Sequence, residues 1–321
     1  MPPSLTPSST IVPSATPART ACRVRFGGLS AHVAPDDSGV LHVALPVLAG
    51  AADEVLLESA SPPETHHGFQ IFRADEHRIA GFALAPAALE LEAAAAELYR
   101  RLFALTAGLH LHRIWNYVPE INAQPDGLEN YRRFCRGRSL AFERQFGREF
   151  EQRMPAASGV GAQSGPLALA FLAGREAPRH FENPQQVPAF HYPAAYGPRA
   201  PSFSRATLVQ QRTGGRQLFI SGTAAIRGHA TVAPGDLSRQ LDCTVENLRL
   251  IGATAGAGDD LGRSGDWRRS FKIYLRHAGD LPPVQTHLAR HLLRAGAEVS
   301  YLHADICRAE LGVEIEAVLS N

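Results

Sequence analysis

Lysine is almost missing from this chain. Of 321 residues only Lys272 is a lysine, and every other permanently cationic side chain is an arginine. The planar arginine fork suits carboxylates better than a flexible ammonium does. An excess of charge of one sign is missing too. The formal net charge is +1, which leaves no basic footprint for a nucleic-acid backbone, so no nucleic-acid partner is expected. No run of 18 apolar residues occurs, so no membrane partner or span is expected. The four cysteines, Cys22, Cys135, Cys243 and Cys307, lack CxxC spacing. They read as reduced thiols of a cytoplasmic protein and not as a zinc site or a disulfide framework. Residues 1–20 are rich in Ser, Thr and Pro without a basic start and apolar core, and read as a flexible tail, not a signal peptide. Phosphate-loop, dinucleotide and Gly-x-Ser-x-Gly motifs are absent. His287 and His291 stand four apart on a predicted helix but lack a third ligand. No metal and no cofactor are expected.

What the chain does have is a 45% apolar composition, ample for packed cores, and a length that suggests two domains of ordinary size. Its closing stretch, Val313-Glu314-Ile315-Glu316-Ala317-Val318, alternates polar and apolar residues. Period-2 alternation places Glu314 and Glu316 on one face of a strand and Val313, Ile315 and Ala317 on the other. Two glutamates on one face are either a solvated surface or carboxyls aimed into a cleft.

The two halves of the chain repeat one order of elements. In the second half Gln217–Ser221 reads as a strand ending at Gly222, and 236–254 as an amphipathic helix starting near Asp236. Residues 267–275 read as a strand, 281–293 as a helix with Pro282 and Pro283 in its first turn, and 301–319 as one or two strands. In the first half 89–107 reads as a helix, 110–118 as a strand, 127–146 as a helix and 158–172 as a glycine-broken region ending in an apolar run. The expected fold is a duplicated α+β unit, each copy a mixed sheet covered on one face by two helices. The expected boundaries are a tail at 1–20, a first unit at 21–177, a Pro- and aromatic-rich linker at 178–201 and a second unit at 202–321. Tyr117 then corresponds to Tyr274, and Ala168 stands where Glu314 stands in the second copy. This asymmetry favours one functional site, built mainly by the second copy.

The second copy resembles the RidA/YjgF family, small α+β proteins that trimerise with clefts between subunits. The resemblance is carried by Gly197-Pro198 through Ser202-Phe203-Ser204-Arg205-Ala206, by Leu218–Gly222, by Gln240–Leu248 and by Val313–Ala317. With the degenerate first copy included, residues 20 to 321 are similar to a narrower group, the chorismatases. The matching segments are His112–Pro119, Asn130–Cys135, Tyr196-Gly197-Pro198-Arg199 and Ser221-Gly222-Thr223-Ala224. The resemblance implies an enzyme acting on chorismate and removing its enolpyruvyl group as pyruvate. Cys307 and Gly222 match the members that aromatise the ring to 3-hydroxybenzoate, with or without 4-hydroxybenzoate. A hydrolytic chorismatase giving a dihydroxycyclohexadienoate, and a RidA-like enamine or imine deaminase, are the rival readings.

Protonating the methylene carbon of an enol ether needs a general acid, and burial can keep a carboxyl protonated for that task. The resemblance implies Glu314 for this role; Glu316 is either its partner or the solvated end of the strand. Chorismate carries two carboxylates, for which Arg199, Arg205 and Arg276 are the candidate cations. Tyr192 and Tyr196 either hydrogen-bond a substrate carboxylate or pack in the linker. Gly222 and Thr223 either offer an N–H and a hydroxyl to the ligand or make a turn. Cys307 is either a ring contact, as the resemblance implies, or a small buried apolar residue. A duplicated chain can close a cleft between its own halves, so a monomer is expected, with a trimer as the alternative.

Overall fold

The computed structural model describes residues 20–27, 34–35, 39–59, 61–163 and 165–321. The tail expected at 1–20 lies, but for Thr20, outside the described residues. The N-terminal stretch forms five strands: β1 (Thr20–Phe26), β2 (Ala34–Pro35), β3 (Val40–Val43), β4 (Val47–Gly50) and β5 (Asp53–Ser59). The first unit follows with β6 (Glu64–His66), β7 (Phe69–Arg73), β8 (Arg78–Leu84), α1 (Leu91–Leu105), β9 (His110–Pro119), α2 (Asn130–Phe146), β10 (Ala156–Ala162) and β11 (Ala168–Gly174). The second consists of β12 (Arg179–Phe181), β13 (Ala206–Gln210), β14 (Arg216–Ala224), β15 (Ile226–Arg227), β16 (Ala230–Thr231), α3 (Leu237–Thr254), β17 (Arg268–Leu275), α4 (Leu281–His291), β18 (Glu298–His303) and β19 (Val313–Ser320).

The sheets show the duplication. The first unit's order is β10-β9-β11-β8-β7-β6, and the second's is β12-β13-β14-β19-β17-β18-β4. In each, a strand, a helix and a parallel strand lie beside a closing antiparallel strand. Ala168 pairs with Tyr117, and Glu314 pairs with Tyr274, so the cross-strand register agrees with the correspondence expected from the sequence.

Each helix pair forms because its apolar stripe has a sheet to cover. Ala95, Leu98, Leu102 and Phe142 of α1 and α2 pack on Ile114, Leu169 and Phe171. In α3 the side chain of Asp236 accepts a hydrogen bond from the Arg239 N–H and caps the helix. Behind that cap, Leu241, Val245, Leu248 and Ile251 meet Ile273, Ile315 and Ala317. The opposite faces of both sheets meet a third, four-stranded sheet of order β2-β3-β1-β5. Together they bury one shared core that includes Val24, Phe26, Trp115, Tyr117, Ala168, Ala170, Phe219 and Tyr274. Because Glu314 and Glu316 face away from α3, they point between the sheets.

One expected strand end needs correction, and two strands join sheets across the expected divisions of the chain. The strand expected to stop at Gly222 runs on to Ala224, with its register to β19 broken between Ile220 and Thr223. That break is a bulge, which relieves the strand without ending it. The stretch 178–201 is not only a connection, since β12 pairs with β13 inside the second sheet. Strand β4, from the N-terminal stretch, pairs with β18 and extends the second unit's sheet.

Candidate active site

Glu314 sits at the bottom of a cleft to which several elements contribute. Tyr131 and Arg132 come from the start of α2, Tyr192 and Tyr196 from the segment between the units, Arg205 from the approach to β13, Gly222 from the bulge of β14, and Cys307 and Arg308 from the loop before β19. Glu314 is 3% exposed, so the solvated-face alternative for these glutamates is excluded. Burial, then the nearby Glu316 carboxylate, push its carboxyl from the ordinary 4.5 up to about 8, against the lowering influence of Arg113. At neutral pH it is a neutral acid.

Its two oxygens have different neighbours. Oε2 lies 3.8 Å from the Cys307 Sγ, which donates to it. Burial pushes the Cys307 thiol up, and the Glu314 carboxyl adds to that. Cys307 is therefore a neutral thiol beside the acid, with no thiolate for nucleophilic attack. Oε1 faces the α-carbon of Gly222. A β-carbon there would meet Oε1 at 2.0 Å and Cδ at 2.7 Å. The bulge needs glycine for this close approach and not for a left-handed backbone.

The cleft is rich in cations. Arg205 is buried; its Nη2 donates to the Tyr192 hydroxyl at 2.8 Å, and Glu182 lies 3.9 Å from its Nε. Arg308 stacks its guanidinium 4.1 Å from the Tyr196 ring centroid and 5.4 Å from that of Tyr192. Among the described residues Arg308 has no carboxylate partner within salt-bridge distance; its Nη1 donates to the Thr231 hydroxyl at 3.1 Å. Arg132 lies 3.4 Å from Glu129. With Glu314 neutral, three guanidinium groups face one lining carboxylate, Glu129, so the cleft wall carries a formal +2.

The structure thus brings together Glu314, Cys307, Arg205, Tyr192, Tyr196 and Gly222. It does not bring three other expected residues there. Arg199 is 41% exposed and paired with Glu143 at 3.0 Å. Arg276 spends its donors on Asp305, Asn122 and the carbonyls of Ile306, Arg308 and Leu311, clamping the loop that carries Cys307. Thr223 donates to the Ser221 carbonyl. The Gly222 N–H is not offered to a ligand either; it donates to the Ser158 Oγ at 3.0 Å. Tyr131, Arg132 and Arg308 were not singled out from the sequence. Tyr131 and Arg132 do fall in the segment Asn130–Cys135, and Arg308 adjoins Cys307.

A larger cavity of about 570 Å³ opens elsewhere, between β5, β14, β17 and β18. Its charged lining balances three acids, Asp53, Glu54 and Glu298, against Arg268, Arg269 and Lys272. Its half-buried acid, Glu54, is tied to Lys272. Volume alone therefore does not locate the chemistry; the cleft at Glu314 combines a neutral acid with surplus positive charge. That cleft is tight, about 70 Å³ of free space.

Comparison with known proteins gives a consistent picture. The family described as chorismatase FkbO/Hyg5-like, N-terminal, matches residues 54–173. A 3-hydroxybenzoate synthase of Streptomyces hygroscopicus is 44% identical over 64% of this chain, and the match spans 62% of that synthase's length. A chorismatase of Streptomyces rapamycinicus is 40% identical over 80% of this chain and 78% of its own. A chorismatase crystal structure superposes with a TM-score of 0.80 and 33% identity, covering 92% of both chains.

Proposed function

The chain belongs to the chorismatase family, and we propose that it converts chorismate to 3-hydroxybenzoate and pyruvate, with Glu314 as the proton donor. The observation that carries this reading is a buried carboxyl, neutral at pH 7, on the floor of a cleft whose wall has a formal charge of +2. The substrate is a dianion, so its charge complements the wall.

Glu314 protonates the terminal methylene carbon of the enolpyruvyl group and leaves an oxocarbenium ion. The ring hydroxyl captures that cation internally, closing a cyclic ketal and releasing its proton. Removal of the C–H proton at the ring carbon that bears the former enol ether breaks the neighbouring ring C–O bond and aromatises the ring. The resulting hemiketal collapses to pyruvate and the aromatic acid, and the two released protons return to the phenolic oxygen and the Glu314 carboxylate. The atoms of chorismate equal those of 3-hydroxybenzoate plus pyruvate, so this route consumes no water. The hydrolytic route consumes one water and leaves a diene diol. A tight cleft, with the Cys307 thiol against the acid, supports the route without water. Arg308 and Arg205 bind the carboxylates as guanidinium forks.

The test is to mix purified protein with chorismate, follow pyruvate and separate the aromatic products by chromatography. Pyruvate with 3-hydroxybenzoate is the expected outcome. Absence of pyruvate overturns the reading, and a dihydroxycyclohexadienoate as main product overturns the internal route. A RidA-like deaminase would instead release ammonia from an imine and leave chorismate untouched.

For Arg308→Met we expect KM for chorismate to rise by about tenfold or more while the mutant keeps its fold. An unchanged KM removes Arg308 from substrate binding. The cleft is lined from within one chain, which supports a monomer; a trimeric mass by light scattering would overturn that assignment.

A further inference from the structure

Between the sheets, behind the cleft floor, lies an ion cluster that the reaction outlined above does not use. Glu316 is 1% exposed and lies on the same face of β19 as Glu314. Both its oxygens are engaged. Oε1 accepts from the Trp115 Nε1 at 2.8 Å and lies 2.7 Å from the Lys272 Nζ. Oε2 accepts from the Arg113 Nη2 at 3.0 Å. Lys272, the chain's single lysine, is held on its other side by Glu54. Arg113 and Trp115 belong to the first unit's β9, Lys272 to the second unit's β17, and Glu54 to the N-terminal sheet, so all three sheets contribute.

The cluster occurs once although the unit occurs twice. The cross-strand pair Lys272 and Glu316 corresponds in the first unit to Trp115 and Ala170. Stability alone does not explain it, because an apolar cluster of the same volume is often at least as stable as buried ions. Its position gives a reason. The Arg113 Nη2 that binds Glu316 also donates to the Ser158 Oγ at 2.5 Å. That oxygen accepts the N–H of Gly222, whose α-carbon faces Glu314. One guanidinium therefore ties the buried carboxylate to the wall of the acid's own pocket.

We infer that Glu316 is a positioning residue for the reaction: its carboxylate, locked between Lys272 and Arg113, keeps the proton on Glu314. The inference rests on the reading of Glu314 as the proton donor. The groups facing Glu314 are Glu316 on its own strand, Arg113 from β9, Arg205 from the approach to β13, Cys307 and Arg308 from the preceding loop, and Tyr131, Arg132, Cys135 and Arg138 of α2. Arg113 and Arg205 favour ionisation of Glu314, and Glu316 opposes them. Lys272, Arg113, Glu54, Tyr117 and Tyr274 surround Glu316 in turn. Burial opposes ionisation of Glu316, and Lys272 and Arg113 outweigh it, holding the carboxyl down at about 2. One face of one strand thus holds two carboxyls of opposite protonation, set by their surroundings.

The test is a titration of the substrate-free protein labelled with carbon-13 at glutamate carboxyls. The Glu314 signal is assigned by its loss in Glu314→Gln. In Glu316→Gln, which keeps the shape and removes the charge, Glu314 titrates lower by about one pH unit or more. The alkaline limb of kcat moves down with it. Should the single variant not fold, Glu316→Gln/Lys272→Met removes one charge of each sign and keeps the cluster balanced. Lys272 stands across the ladder from Glu316, while Glu314 pairs with Tyr274, so the same downward shift is expected. A folded variant whose Glu314 titrates where the parent's does overturns the proposal, even if turnover has fallen, since lost turnover alone is what a merely structural role produces. The titration needs no substrate. A parent protein that releases no pyruvate sinks the assigned reaction, while the titration still decides the role of Glu316.

Discussion

Glu314→Gln abolishes pyruvate release from chorismate, with a loss of about a thousandfold in kcat, the scale on which general acids contribute. Glutamine keeps the side chain's length but has no proton acidic enough to reach the methylene carbon. In the parent the proton is present below the carboxyl's raised value of about 8, so kcat holds through neutrality and falls as pH rises through that value. The stability of Glu314→Gln relative to the parent moves the other way, which separates a chemical loss from an unfolded variant. A carboxyl raised from 4.5 to about 8 in the folded protein stabilises fully below 4.5, and that contribution is lost as pH climbs toward 8. Glutamine does not titrate. The Tm of Glu314→Gln relative to the parent therefore rises between pH 5 and 8 and then levels. Turnover retained within tenfold of the parent would remove Glu314 from the proton transfer, whatever the melting curves show.

The residues that carried this conclusion were partly readable without a structure, and the reasons differ from residue to residue. Alternation along Val313–Val318 placed Glu314 and Glu316 on one face, because a strand's side chains alternate whatever lies above them. Alternation could not say that the face is buried. That depends on a second sheet, contributed by residues some two hundred positions earlier, whose Arg113 and Trp115 meet Glu316. The repeat was readable because both units must cover one sheet face with two helices, and helix periodicity survives where the active acid does not. The N-terminal strands were not read at all. They are short, and β4 finds its partner in β18, about 250 residues away. The arginines were the hardest case. Arg199 and Arg205 both lie in the segment that resembles the family, yet Arg199 turns outward to Glu143 and Arg205 turns inward to Tyr192. In a chain with a single lysine, the presence of an arginine says little; which carboxylates already claim it says more, and those are tertiary facts. Arg308 stands out in the structure for that reason, stacked on Tyr196 with no carboxylate partner among the described residues.

A methyl group at position 222 tests the geometry as sharply as the missing proton tests the chemistry. In Gly222→Ala the new β-carbon would lie 2.0 Å from the Glu314 Oε1 and 3.3 Å from the Ser158 Oγ. Neither neighbour yields freely. The Ser158 Oγ is held by Arg113 and by the Gly222 N–H, and the bulge is pinned on its other side by the Ser221 Oγ donating to the Ser204 carbonyl at 2.6 Å. The carboxyl has to move, away from the bulge and into the cleft. A displacement of about 1 Å in a catalytic group costs on the order of a hundredfold in rate, so kcat for 3-hydroxybenzoate falls by about that factor. Because Arg205 and Arg308 are untouched, substrate affinity falls far less than kcat, and the two parameters separate. The displaced acid also no longer holds the cation in register with the ring hydroxyl, so capture by solvent competes with internal capture and the diene diol becomes a measurable share of the product. Chromatography of the Gly222→Ala products reads both effects at once. A parent-like rate and product would mean that the bulge relaxes without disturbing Glu314, and the close approach would then not be what sets the acid in place.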